Sequence, residues 1–185
     1  MLSFFTSFSG KGKKSFLLQV AAWVVKNRAN PDISLDELRR KYIGRSPPIP
    51  APVSKSLHKI CNIELKNIAE NTVITLVPKN QKKPNHIVYL HGGAFVNTLL
   101  KAHWDIIESL VEFTGSSVTV HLYPLAPEHQ YMETFAFLTQ VYKDILARTS
   151  PCHIVFCGDS AGGNLALSHC LNLRDRNVPS FTGVS

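Results

Sequence analysis

The segment HIVFCGDSAGGNLAL, His153 to Leu167, constrains this chain more than any other. A short apolar run reads as a buried strand, and the stretch after G-D-S-A-G has helical spacing. Between them Ser160 sits in G-x-S-x-G, flanked by Gly158 and Gly162. A sharp strand-to-helix turn crowds the atoms on either side of its central residue, so glycines are needed there. Such a turn would hold the Ser160 hydroxyl at the carboxyl edge of a sheet. The next backbone N–H, that of Ala161, would open the helix, where the helix dipole favours negative charge. The alternative is a surface turn whose serine caps the following helix.

The rest of the chain supplies the sheet that such a turn requires. NIELKNI and TVITLVP read as two strands around Glu70-Asn71, and HIVYLH as a compact apolar strand ending at Gly92-Gly93. Leu100 to Phe113 has helical spacing, SSVTVHLY is a strand, and Phe135, Leu138, Val141, Tyr142 and Ile145 trace one helix face. With HIVFC and the helix Asn164–Leu173 the order is β-β-β-α-β-α-β-α. Later strands separated by helices imply an α/β fold, a mostly parallel sheet with helices on both faces.

Upstream the pattern differs. Phe16 to Val25 reads as an amphipathic helix, Ser34 and Glu37 form a capping box, Gly44 is a helix stop, and RSPPIPAPVS is a proline-rich linker. The expected division is a helical segment with its linker over 1–52 and an α/β domain over 53–185. K-G-K-K before the apolar run has the look of a signal peptide, but Gln19 interrupts the run and no small-residue cleavage site follows. The run is too short for stable membrane insertion.

Composition narrows the function classes. The net charge is +7, but the basic residues are scattered and no aromatic side chains interleave with them, which argues against nucleic acid. The four cysteines form no C-x-x-C pair, so zinc and disulfides are not expected, and a reducing, cytoplasmic setting is.

A second motif, His91-Gly92-Gly93-Ala94-Phe95, follows directly on the HIVYL strand. Adjacent glycines let a backbone turn its N–H groups toward a substrate carbonyl. Gly92 and Gly93 would complement Ala161 as three donors to one developing charge, as acyl transfer needs.

HGGAF, YPLAPEH (Tyr123 to His129) and GDSAGGNLA (Gly158 to Ala166) together resemble the three signature blocks of the hormone-sensitive lipase family of carboxylesterases. The resemblance runs from about Thr72 to the end of the chain and implies the α/β-hydrolase fold. It implies Ser160 as nucleophile, Gly92, Gly93 and Ala161 as oxyanion hole, and Glu128 as a residue buttressing the site. His91 would orient the oxyanion loop, and Asp159 would turn away from the serine. The helical N-terminus would serve as the cap. The pattern departs at Ala94, where many members have a third glycine, and at Gln130, where proline is frequent.

The base is the gap. In this fold the order is Ser, then Asp or Glu, then His. After Ser160 come only His169 and Asp175, in the wrong order. His169 stands nine residues along the helix, more than about 10 Å away by helix rise. The reading is therefore a serine carboxylester hydrolase of small or medium acyl esters, truncated after the nucleophile helix, with acid and histidine beyond this chain. No cofactor or metal is implied, the partner is a small-molecule ester, and there is room for a homo-oligomer. A non-catalytic binding protein or inactive remnant of the same fold is the alternative. A sheet ending here would expose an unpaired strand edge. The 185-residue chain alone is therefore expected to be marginally stable or to aggregate; a soluble monomer that unfolds cooperatively well above room temperature would refute this.

Overall fold

The computed structural model describes residues 34–81, 85–179 and 183–184. The chain divides into two compact units, Met1–Lys41 and Tyr42–Ser185, and the second holds the sheet. The helix expected over Phe16–Val25 lies outside the described residues.

Helix α1, Leu35–Tyr42, opens on the expected capping box. Glu37 N–H donates to Ser34 Oγ at 3.2 Å, and Ser34 N–H to Glu37 Oε2 at 2.9 Å. Gly44 follows with φ +75°. The proline-rich stretch has no regular structure, yet it is not loose. Ala51 N–H donates to Leu99 O, and its carbonyl accepts from Trp104 Nε1, both at 2.9 Å. Ser54 then caps a six-residue helix, α2, Lys55–Ile60. The sequence reading missed α2 because so short a helix shows no periodicity.

Strands β1 (Cys61–Ile68) and β2 (Asn71–Pro78) form an antiparallel hairpin closed by Ala69 and Glu70, both at positive φ. That is the backbone twist which two-residue hairpins require. Then come β3 (His86–Leu90), α3 (Lys101–Thr114), β4 (Ser117–His121), α4 (Tyr131–Leu146), β5 (Ile154–Gly158), α5 (Ala161–Asp175) and β6 (Gly183–Val184). The sheet order is β1-β2-β4-β3-β5-β6. Only β2 runs against its neighbours; β4, β3, β5 and β6 pair in parallel.

Both faces are covered, as the strand composition predicts. On one face Val88, Leu90, Ile154 and Phe156 pack with Leu138 and Val141 of α4 and Leu165 and Ala166 of α5. On the other, Ile87, Tyr89, Val118 and Val120 pack with Leu57 of α2 and Trp104 and Ile107 of α3. Residues adjacent in β3 thus serve opposite cores, which is why this strand is buried throughout. None of the four cysteines is joined in a disulfide among the described residues.

The core also encloses histidines. His86, His91, His121 and His169 are each less than 9% exposed. The ring nitrogens of His121 and His169, and Nε2 of His91, have no hydrogen-bond partner among the described residues. Burial holds the imidazoles neutral, lowering His121 to about 3 and the other three to about 4. The unfolded chain, with ordinary histidines near 6.5, takes up protons that the folded chain refuses. Stability is therefore complete above about pH 6.5 and falls as the pH drops toward 4, by up to about 1.4 kcal/mol per pH unit per histidine. Urea midpoints measured between pH 7 and 4.5 should fall accordingly, and His169→Leu should flatten the slope.

Candidate active site

The strand-to-helix turn is built as a tight elbow. β5 ends at Gly158, α5 begins at Ala161, and Ser160 between them has φ 49° and ψ −118°. That backbone is strained for a residue with a Cβ, by about 1–3 kcal/mol, and it leaves the Ser160 side chain exposed. Ser160 does not cap the helix through its hydroxyl. The first-turn N–H groups go instead to main-chain carbonyls: Gly162 and Gly163 to Asp159 O at 2.8 and 3.3 Å, and Asn164 to Ser160 O at 3.2 Å. The hydroxyl is left unengaged among the described residues.

The flanking glycines are there for clearance. A Cβ on Gly158 would lie 2.6 Å from the carbonyl carbon of Gly162. A Cβ on Gly162 would collide with the carbonyl oxygen of Leu90, at the end of β3. The elbow therefore presses directly on the strand that leads into HGGAF.

That second loop is a left-handed turn. Gly93 has φ +131°, Ala94 55° and Phe95 63°, and Asn97 N–H closes the turn on Gly93 O at 2.9 Å. A Cβ on Gly93 would meet Asn97 O at 2.5 Å. Ala94 thus occupies a conformation that glycine takes without strain, which explains why a third glycine suits that position. The N–H groups of Gly93, Ala94 and Ala161 have no partner among the described residues. The Gly92 N–H does have one: it donates to Asp159 Oδ1 at 2.9 Å.

Asp159 turns toward β3 and gathers donors. Its Oδ1 also accepts from Tyr89 Oη at 2.7 Å, and its Oδ2 lies 3.5 Å from His103 Nε2. Neither Tyr89 nor His103 stood out in the sequence. The available signal was a tyrosine within the apolar run of β3 and a histidine on the buried face of α3.

His91 is wholly buried beneath the loop. Its Nδ1–H donates to Gly92 O at 2.7 Å, its ring stacks on Tyr123 at 4.4 Å, and Tyr123 Oη donates to His91 O at 2.7 Å. Glu128 is exposed in the turn that holds the cis Ala126–Pro127 bond, and its carboxylate has no partner among the described residues. The Gln130 N–H donates to Glu133 Oε1 at 3.1 Å, a bond that a proline there would forfeit. His169 is sealed among Phe135, Tyr142 and Phe156, and Asp175 pairs with Arg174 at 2.8 Å on the surface. A groove of about 310 Å3, lined by Glu64, His86, Arg148 and His153, opens at the strands' other end, away from Ser160.

A family model described as alpha/beta hydrolase fold matches residues 87–185, more than half of the chain. The chain belongs to this family. Among curated relatives, an esterase of Acinetobacter venetianus is 38% identical over 91 residues, covering 49% of this chain and 30% of that protein. The carboxylesterase/phospholipase LipF of Mycobacterium tuberculosis is 40% identical over 83 residues, covering 44% and 22%. A solved esterase of the bacterial hormone-sensitive lipase family superposes with TM-score 0.66 at 23% identity, covering 94% of this chain and 57% of that one. An esterase/lipase from an uncultured bacterium gives TM-score 0.68 at 20% identity, covering 93% and 57%. The chain thus spans under a third of these curated relatives and somewhat over half of these solved structures. No helix among its described residues is long and apolar enough to cross a membrane.

The clearance argument has a direct test. Gly162→Ala drives a methyl into the Leu90 carbonyl and should lower stability in urea by about 2–4 kcal/mol. Gly115→Ala, at φ +64° with nothing within 4 Å, should cost only about 1 kcal/mol.

Proposed function

We propose that this chain carries the nucleophile and oxyanion donors of a serine carboxylester hydrolase. The observation that carries the reading is Ser160 itself: strained at positive φ, exposed, bound to no helix-cap amide, and hemmed by glycines that admit no Cβ. A capping serine has no need of such strain; a nucleophile presented to substrate does.

In this reading Ser160 Oγ attacks the ester carbonyl, and the N–H groups of Gly93 and Ala161 receive the oxyanion. Ala94 N–H, next on the same left-handed turn, is a third donor. Gly92, the donor first expected from the motif, holds the loop in place through Asp159 instead. His91 stays neutral and structural, because its Nδ1–H is committed to Gly92 O and burial disfavours its charged form. Proton transfer falls to an acid and a histidine outside these 185 residues, and water releases the acid product. Small to medium acyl esters are the proposed substrates. The names of the relatives, esterase and carboxylesterase/phospholipase, support the ester class.

Hydrolysis of p-nitrophenyl acetate, measured on the protein extended through its downstream frame and beside its Ser160→Ala variant, tests the reading. Turnover that falls more than about 1,000-fold in the variant is expected. Equal rates for the two would overturn the nucleophile assignment in favour of a binding role. On the 185 residues alone, no Ser160-dependent turnover is expected; turnover there would show that a base within them had been overlooked.

A further inference from the structure

The Asp159 carboxylate joins three parts of the molecule that are far apart in sequence. Its own main-chain carbonyl caps α5 through Gly162 and Gly163. Its Oδ1 takes the Gly92 N–H at the head of the oxyanion loop and the Tyr89 hydroxyl from β3. Its Oδ2 faces His103, in the first turn of α3. The approach is so close that a Cβ on Gly92 would overlap the carboxylate, so this glycine serves the latch and not only the turn.

The His103 ring has a defined orientation. Nδ1 accepts the Leu100 N–H at 2.8 Å, which leaves the proton of the neutral ring on Nε2, facing Asp159. At 3.5 Å the contact is electrostatic rather than a full hydrogen bond. Tyr89 is 1% exposed and His103 7%, so both face the partly exposed carboxylate from the protein interior, and the Tyr89 bond is a charge-assisted one. Burial and the Asp159 bond push the Tyr89 phenol well above its ordinary range, so it remains a donor across the working pH.

We propose that Tyr89 and His103 are positioning residues: by holding the Asp159 carboxylate they fix the oxyanion loop relative to the Ser160 elbow. Neither meets the substrate. Their effect reaches the chemistry through Gly92, since the donors at Gly93 and beyond follow from where Gly92 is held. A shift of the loop by a fraction of an ångström leaves substrate binding intact but misplaces the donors when the oxyanion forms. The latch stands on the structure alone; its catalytic consequence rests on the reading of Ser160 as nucleophile.

Two measurements on the same variants of the full protein separate those levels. Hydrogen exchange at the Gly92 amide reads the latch. Tyr89→Phe and His103→Leu should each raise it roughly tenfold while Tm and exchange across the remaining core strands hold. His103→Gln should restore protection, because its amide oxygen accepts from Leu100 N–H while its NH2 donates to Asp159. Steady-state kinetics read the consequence: kcat should drop about tenfold in the first two variants with KM within about twofold, and recover in His103→Gln. Unchanged Gly92 exchange would overturn the latch. So would exchange that rises evenly over the whole sheet, which marks general destabilisation. Altered Gly92 exchange with kcat intact would overturn the positioning role. If the wild-type protein shows no Ser160-dependent turnover, the nucleophile reading fails, and Gly92 exchange still decides the latch.

Discussion

Everything at the candidate site depends on one close approach, that of the first turn of α5 to the carboxyl end of β3. Gly162 stands against the Leu90 carbonyl with no room for a methyl group. The sheet order makes this contact available. β5 pairs with β3 in parallel, and the register sets Gly158 opposite Leu90. Two motifs some 65 residues apart therefore end side by side, because the strands that carry them are neighbours. Had β5 joined the sheet beside β4, the same residues would lie one strand further apart and HGGAF could not reach the elbow. The carboxyl edge of a parallel sheet is also where helix N-termini collect, so the Ala161 N–H and the dipole of α5 arrive at the same place.

The approach is bought with backbone strain at three residues that carry side chains. Ser160, Ala94 and Phe95 all lie at positive φ, at an order of 1–3 kcal/mol each. The surrounding structure over-determines all three. Ser160 is held between a paired strand and a helix whose Gly162, Gly163 and Asn164 amides are satisfied by the Asp159 and Ser160 carbonyls. The loop is held by Asn97 closing on Gly93, by Ala126 N–H donating to Phe95 O at 2.9 Å, and by the His91 ring stacked on Tyr123. HGGAF and YPLAPEH, read separately as blocks, are one hydrogen-bonded layer.

Much of this was legible in the sequence, because it follows from periodicity and from glycine chemistry. The strands β1 to β5, the helices α3 to α5, the parallel sheet with two covered faces and the family all follow from patterns a few residues long. What escaped was contact between distant residues. Nothing local to the prolines shows that Ala51 bridges Leu99 and Trp104, or that the segment behaves as packed chain rather than free linker. The three groups around Asp159 come from β3, the HGGAF loop and α3, and no spacing rule joins them. Gly92 shows the limit most clearly. Gly-Gly after a strand correctly marks a loop that needs glycine, but clearance for a neighbouring carboxylate and freedom to turn an N–H toward substrate have the same sequence signature. Only the Asp159 contact tells them apart.

That distinction changes how the site is built on the proposed reading. If Gly92 were an oxyanion donor, loop and elbow would be two pieces brought together by the substrate. With its N–H committed to Asp159, the residue beside the nucleophile, they form one preformed unit before any ester arrives. Electrostatic stabilisation is effective to the degree that its dipoles need not reorganise when charge develops. The left-handed turn, the buried neutral His91 beneath it and the carboxylate latch all serve that end, and none of them distinguishes one ester from another. Selectivity for acyl or alcohol group must then come from surfaces outside this unit. The parts seen here fix the chemistry, and the walls around them are left free to vary the substrate.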